Sequence, residues 1–116
     1  MQMMTAELLE NLLIQCASEG RDISYSEALF AFGLRFTRPK MRELCKLLGT
    51  VDAAAESRSE PPLAVLVVRA SDRLPGDGWW ACRTSFRGEW TGEQARKYVH
   101  RKQRAAFKFW SAKAGC

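Results

Sequence analysis

Lys97, Arg101, Arg104 and Lys108 follow one another at steps of four, three and four residues, the spacing that keeps side chains on one face of an α-helix. Such a row suits a polyanion, because each Lys or Arg can neutralise a phosphate and release its counterion. A second basic set, Arg38, Lys40, Arg42 and Lys46, lies opposite an apolar periodicity formed by Met41, Leu44, Cys45 and Leu48. Arg69 and Arg73 bracket a turn between the two sets. These ten cations, together with Trp90 in a glycine-rich bend beside Glu89 and Thr91, are the candidate contacts for nucleic acid or an acidic protein.

The reactive side chains do not assemble a catalytic pattern. His100, the sole histidine, sits beside Arg101 and Lys102, an environment that does not favour a general base and suits a surface or phosphate-contacting role. Cys16, Cys45, Cys82 and Cys116 are widely spaced with no CxxC pair, so no structural metal is expected; Cys16 and Cys45 read as small buried hydrophobes. Leu74-Pro75-Gly76-Asp77-Gly78 lacks the glycine spacing that converges backbone amides on an anion. It reads as a type II turn with Pro75 presetting φ and Gly76 supplying a positive φ. A non-catalytic protein without a cofactor is the expectation.

Charge is unevenly distributed. Residues 1–60 hold seven Lys/Arg and nine Asp/Glu, a net charge of −2, whereas residues 61–116 hold eleven and four, net +7. A basic half points to polyanionic partners. With 116 residues, 47% of them hydrophobic and 27% charged, the chain reads as one globular domain over 1–116. It contains no run near the roughly 18 apolar residues that span a bilayer, and its start lacks a basic region preceding an apolar one, so a cytoplasmic setting without membrane contact is expected.

The elements that must position the cations follow from periodicity and punctuation. Thr5 caps a helix over about 5–18 with Leu8, Leu9, Leu12, Leu13 and Cys16 on its stripe, ended near Gly20. Ser24 opens a second helix carrying Ala28, Leu29 and Phe32 up to Gly33. After the joint Leu34 to Arg38, Pro39 suits the first turn of a third helix, with Gly49 as its expected end and Val51 to Ala55 as the alternative extension. The apolar run 63–69 reads as a strand covered on both faces. Trp79-Trp80-Ala81-Cys82 returns as its hairpin partner, the alternative being a helix from Gly78. A long amphipathic helix over about 92–113 closes the chain, with Ala95, Tyr98, Val99, Ala106, Phe109 and Trp110 on its apolar side.

Three helices, a hairpin and a long last helix give an α+β, winged-helix-like fold, with the third helix as recognition helix and 63–82 as wing. Tyr25-Ser26-Glu27-Ala28-Leu29, Leu44 to Leu48, Pro62-Leu63-Ala64-Val65-Leu66-Val67-Val68, Leu74 to Trp80 and the final Phe109-Trp110 resemble a group of small proteins of prophages and mobile elements. That group shares a PPLxxLVV…LPGxGF core after a helix-turn-helix-like start. The resemblance spans about residues 24–110 and implies fold more than activity; Trp79-Trp80 stand where the group has phenylalanines, and the last helix is unusually basic.

Two functional expectations follow. The first is a winged-helix nucleic-acid-binding protein of weak sequence specificity. The second is a phage- or plasmid-encoded inhibitor or adaptor docking on a host nucleic-acid-processing complex, with Trp90 as an interface anchor. The wide apolar arc of the first helix, with Leu8, Leu9, Leu12, Leu13 and Ile14, either packs under the wing or pairs with a second copy in a homodimer.

Overall fold

The computed structural model describes residues 4–76, 79–80 and 90–114. Among these residues the architecture is mostly helical, α+β, with four α-helices described over their length and one small sheet. Helix α1 (Ala6–Ser18) is capped by the Thr5 hydroxyl, which accepts from the Leu8 N–H, and buries Leu9, Leu13, Cys16 and Ala17. It ends where Gly20 takes φ 71°, letting the Arg21 N–H reach the Cys16 carbonyl at 3.0 Å. Helix α2 (Tyr25–Phe30) begins on a complete capping box between Ser24 and Glu27 and ends the same way through Gly33.

Helix α3 (Arg38–Ser57) starts at the Thr37 cap with Pro39 in its first turn and runs straight past Gly49. Leu44, Leu48, Val51 and Ala55 form one buried stripe, whereas Gly49 lies on the exposed side, where a glycine weakens a helix without stopping it. Cys45, next to Leu44 but about 100° around the helix, is exposed rather than buried as its neighbours suggested. α3 ends at Ser59, which adopts φ 57° in the position that glycine fills after α1 and α2.

The run 63–69 is wholly buried over Leu63–Val68, as its composition implies, yet most of it is not strand. The Asp52 carboxylate on α3 accepts from the N–H groups of both Leu63 and Ala64 at 2.9 Å, satisfying the amides that open a short 3-10 turn over Ala64–Leu66. Only Val67–Val68 (β2) is extended, and it pairs in parallel with Ile23–Ser24 (β1). Parallel pairing follows from connectivity: α2 and α3 form the crossover that returns the chain in the same direction.

The expected antiparallel hairpin over 63–82 is therefore absent among the described residues. Trp79 and Trp80 are helical; the Trp79 N–H donates to the Gly76 carbonyl at 3.0 Å and the Trp80 indole donates to the Pro75 carbonyl at 3.0 Å, folding the segment onto its own turn. Gly76 does not take a positive φ, so the expected type II geometry fails as well. Its lack of a Cβ has a different use. The Tyr25 hydroxyl sits 3.1 Å from where that atom would be and accepts the Gly76 N–H at 2.8 Å. Asp77, Gly78, Ala81 and Cys82 lie outside the described residues, as does Cys116.

Helix α4 (Gly92–Ala114) packs along α1, and α1 in turn packs on α3. The wide apolar arc of α1 is thus covered within the chain. Ala95, Tyr98, Val99 and Ala106 of α4 are buried, with Phe107 and Trp110 packed partly against the same core. Gln103 is also buried, and its amide donates to the Val65 carbonyl at 3.0 Å, tying α4 to the 3-10 turn. No helix among the described residues is long and apolar enough to cross a membrane.

Because Asp52 supplies the acceptor for two otherwise unpaired amides at the entrance to the buried run, Asp52→Ala is expected to lower unfolding free energy by about 3 kcal/mol. Urea denaturation followed by circular dichroism measures this; a loss below about 0.5 kcal/mol would show that the turn holds without it.

Candidate nucleic-acid interface

On α4 the stripe predicted from spacing is present. Lys97, Arg101, Arg104 and Lys108 are all exposed, and at about 100° per residue they fall within a narrow arc opposite buried Ala95, Val99 and Ala106. Lys97 is 3.7 Å from Glu93, an exposed pair worth little in water. Arg101 lies with its guanidinium carbon 5.4 Å from the centre of the Tyr98 ring, and Tyr98 is itself wedged against Trp79 and Trp80. That contact holds the guanidinium near the ring without consuming its hydrogen-bond donors. His100 is exposed beside it.

On α3 the set divides. Arg38, Arg42 and Lys46 are exposed on one face, while Lys40 turns toward the other side, half-buried, with its ammonium 3.6 Å from Glu43.

Arg69 and Arg73 have other work. The Arg69 guanidinium donates to both oxygens of Asp72, at 3.2 and 2.9 Å, bracing the turn in which the Arg69 N–H also reaches the Leu74 carbonyl. Arg73, held at φ 56°, donates to Asp22 at 2.5 Å and lies 3.5 Å from Glu27. It links the turn after β2 to the start of α2, and the Asp22 hydrogen bond holds its guanidinium charged to still higher pH than usual. Neither arginine is displayed for a phosphate. Trp90 is 40% exposed, but its ring lies parallel to buried Trp80 with centroids 6.5 Å apart, so one face is already covered.

The structure adds residues that periodicity passes over. Phe30, at the end of α2, is 79% exposed, and Phe36, in the joint before α3, is 55% exposed. Phe36 borders two clefts: one of about 380 Å³, shared with Tyr25, Ser26, Met41, Arg69 and Ser71, and an open one of about 600 Å³, shared with Ser26, Phe30, Leu34 and Arg35. Phe30 lies off the Ala28, Leu29 and Phe32 stripe, and Phe36 lies in no helix, so a search for repeats finds neither. The available signal was local: Arg35-Phe36-Thr37-Arg38 sets an aromatic ring among cations. No three His, Cys, Asp or Glu side chains gather into a metal-binding group among the described residues.

No family model, curated protein or solved structure matches this chain.

The Ser24–Glu27–Arg73 junction has a pH signature. The Glu27 carboxyl is held below the usual carboxylate range, first by the Ser24 backbone N–H and then by the Ser24 hydroxyl and Arg73. A depressed carboxylate contributes stability that is present above its unfolded value near 4.3 and is lost as pH falls through the folded value. Glu27→Ala is expected to cost about 1 kcal/mol at pH 7, mainly through loss of the capping box, since an exposed charge is well screened. The gap from wild type should narrow below about pH 4 in pH-resolved thermal melts; a gap that widens there would contradict the assignment.

Proposed function

We propose that this chain is a non-catalytic nucleic-acid-binding protein that grips phosphates through the exposed faces of α3 and α4. One observation carries the reading: the arginines that brace the fold are paired, and those on the two faces are not. Arg21, Arg58, Arg69 and Arg73 each meet a carboxylate within 2.9 Å. Arg38, Arg42, Lys46, Arg101, Arg104 and Lys108 are exposed with no carboxylate partner among the described residues. A cation bonded to a carboxylate is already satisfied, whereas an unpaired row of cations repels itself, and that repulsion is offset when a polyanion arrives.

In this reading α2 and α3 act in the manner of a helix-turn-helix, with α3 laid against the nucleic acid. A winged-helix comparison extends only to this helical part, since residues 63–68 are used for the buried turn and the parallel pair. Phosphate contacts of this kind give affinity with little sequence preference. The alternative, an inhibitor or adaptor of a host nucleic-acid-processing complex as the mobile-element resemblance suggests, loses part of its support because Trp90 is stacked on Trp80.

Fluorescence anisotropy at low salt with a random oligonucleotide, both single-stranded and duplex, is expected to give micromolar binding. The triple variant Arg101→Glu, Arg104→Glu, Lys108→Glu should weaken it at least about tenfold and flatten the dependence of log K on log salt by about 2 to 3 for duplex. Absence of micromolar binding at low salt would overturn the reading, and an unchanged triple variant would remove α4 from it.

A further inference from the structure

We propose that the cleft beside Phe36 seats an unpaired nucleobase, stacked on the Phe36 ring, so that the α3 face takes single-stranded nucleic acid in preference to duplex. The proposal rests on the nucleic-acid reading above and specifies which form of the polymer this face recognises.

Phe36 is 55% exposed and lies at a defined place in the helix start. Thr37 caps α3 by accepting the Lys40 N–H at 3.2 Å, which makes Phe36 the residue before the cap and Met41 the fourth residue of the helix. These are the two positions that pair in a hydrophobic staple, and both border the same cleft, so Met41 is placed to support one side of the ring while the other is open to a ligand. Phe30 borders the neighbouring cleft at 79% exposure, so two aromatic rings line one continuous region of the α2–α3 joint.

The charge around the rings selects the occupant. Arg35 and Arg38 flank Phe36 in sequence and are exposed with no carboxylate partner among the described residues. The nearby carboxylates are committed elsewhere, Glu43 to Lys40 and Glu27 to the Ser24 N–H and Arg73. Of these arginines Arg35 borders the open cleft, where the Glu27 carboxylate also lies but is engaged by Ser24 and Arg73. An exposed aromatic surface beside free arginines fits a ligand that is itself flat and apolar in part and anionic in its backbone, which describes an unstacked single strand. Duplex hides its base faces in the stack. A neutral apolar peptide would leave the arginines unmatched, and a second copy of this chain would bring the same cations against themselves. The hydroxyl-bearing Ser26 and Ser71 in the cleft offer hydrogen-bond partners for a base edge.

The test uses a twelve-residue single-stranded oligonucleotide carrying one 2-aminopurine, and the same strand in a duplex. Wild type should bind the single strand more tightly and quench the probe by stacking. Phe36→Ala should weaken single-strand binding about tenfold and abolish the quench, with duplex affinity within about twofold of wild type. Phe36→Leu preserves an apolar staple but no aromatic face; it should behave like Phe36→Ala, and Phe36→Trp should restore binding. Recovery by Leu would assign Phe36 a packing role and overturn the proposal. If single strand and duplex bind equally and Phe36→Ala changes neither, the stacking site is overturned while phosphate binding stands. If neither form binds at low salt, the parent reading fails with it. Phe36-dependent binding of an acidic, aromatic-containing peptide, with oligonucleotide binding independent of Phe36, would also overturn it.

Discussion

One carboxylate organises the centre of this fold. Asp52 on α3 receives the amides of Leu63 and Ala64, and the six buried residues Leu63–Val68 are thereby started as a helical turn and released as extended chain only at Val67. Two consequences travel outward from it. The short β2 meets β1 in parallel, which sets Ser24 at the mouth of α2; and the Val65 carbonyl is left for Gln103, which sets the rotation of α4. The rotation decides which side of α4 meets water. With Gln103, Val99 and Ala106 turned inward, Arg101, Arg104 and Lys108 can only turn outward.

The distribution of charge follows the same division. Arginines near the ends of elements are used as braces: Arg58 joins Glu10 and Glu60 below α3, Arg69 joins Asp72, and Arg73 joins Asp22. Arg38, Arg42 and Lys46 on α3 and Arg101, Arg104 and Lys108 on α4 have no such partner among the described residues. A cation beside a carboxylate is electrostatically satisfied and offers little to a phosphate. The aromatic residues divide similarly. Trp79, Trp80 and Tyr98 pack edge to face or tilted around the start of α4, and Trp90 closes over Trp80. Phe30 and Phe36 stand outside that cluster, beside free arginines.

Most helix limits were legible in the sequence because their punctuation is local. Thr5, Ser24 with Glu27, and Pro39 mark starts, and Gly20 and Gly33 mark ends, each within a few residues of the groups they satisfy. The end of α3 was not, because Gly49 sits on its exposed side and the helix continues to Ser57. What decided the 63–80 region was not local. Its burial could be read from composition, but its backbone is set by Asp52 eleven residues before Leu63 and by Tyr25 fifty-one residues before Gly76. The same distance separates Arg73 from Asp22, so its charge was visible and its engagement was not. The stripe on α4 was legible because periodicity alone defines it. Phe36 escaped because the joint has no periodicity; the cations on either side of it mark it in the sequence, and the exposure of its ring sets it apart from the core.

If the unpaired cations of α3 and α4 are the contact surface, a titration of ¹⁵N-labelled protein with a short oligonucleotide, followed by amide chemical shifts, should give saturable shifts at Arg38, Arg42 and Lys46 and along Arg101, Arg104 and Lys108, with exposed α1 residues such as Glu7 and Asn11 unmoved. Shifts confined to α1, or absent from both helix faces at saturation, would contradict it.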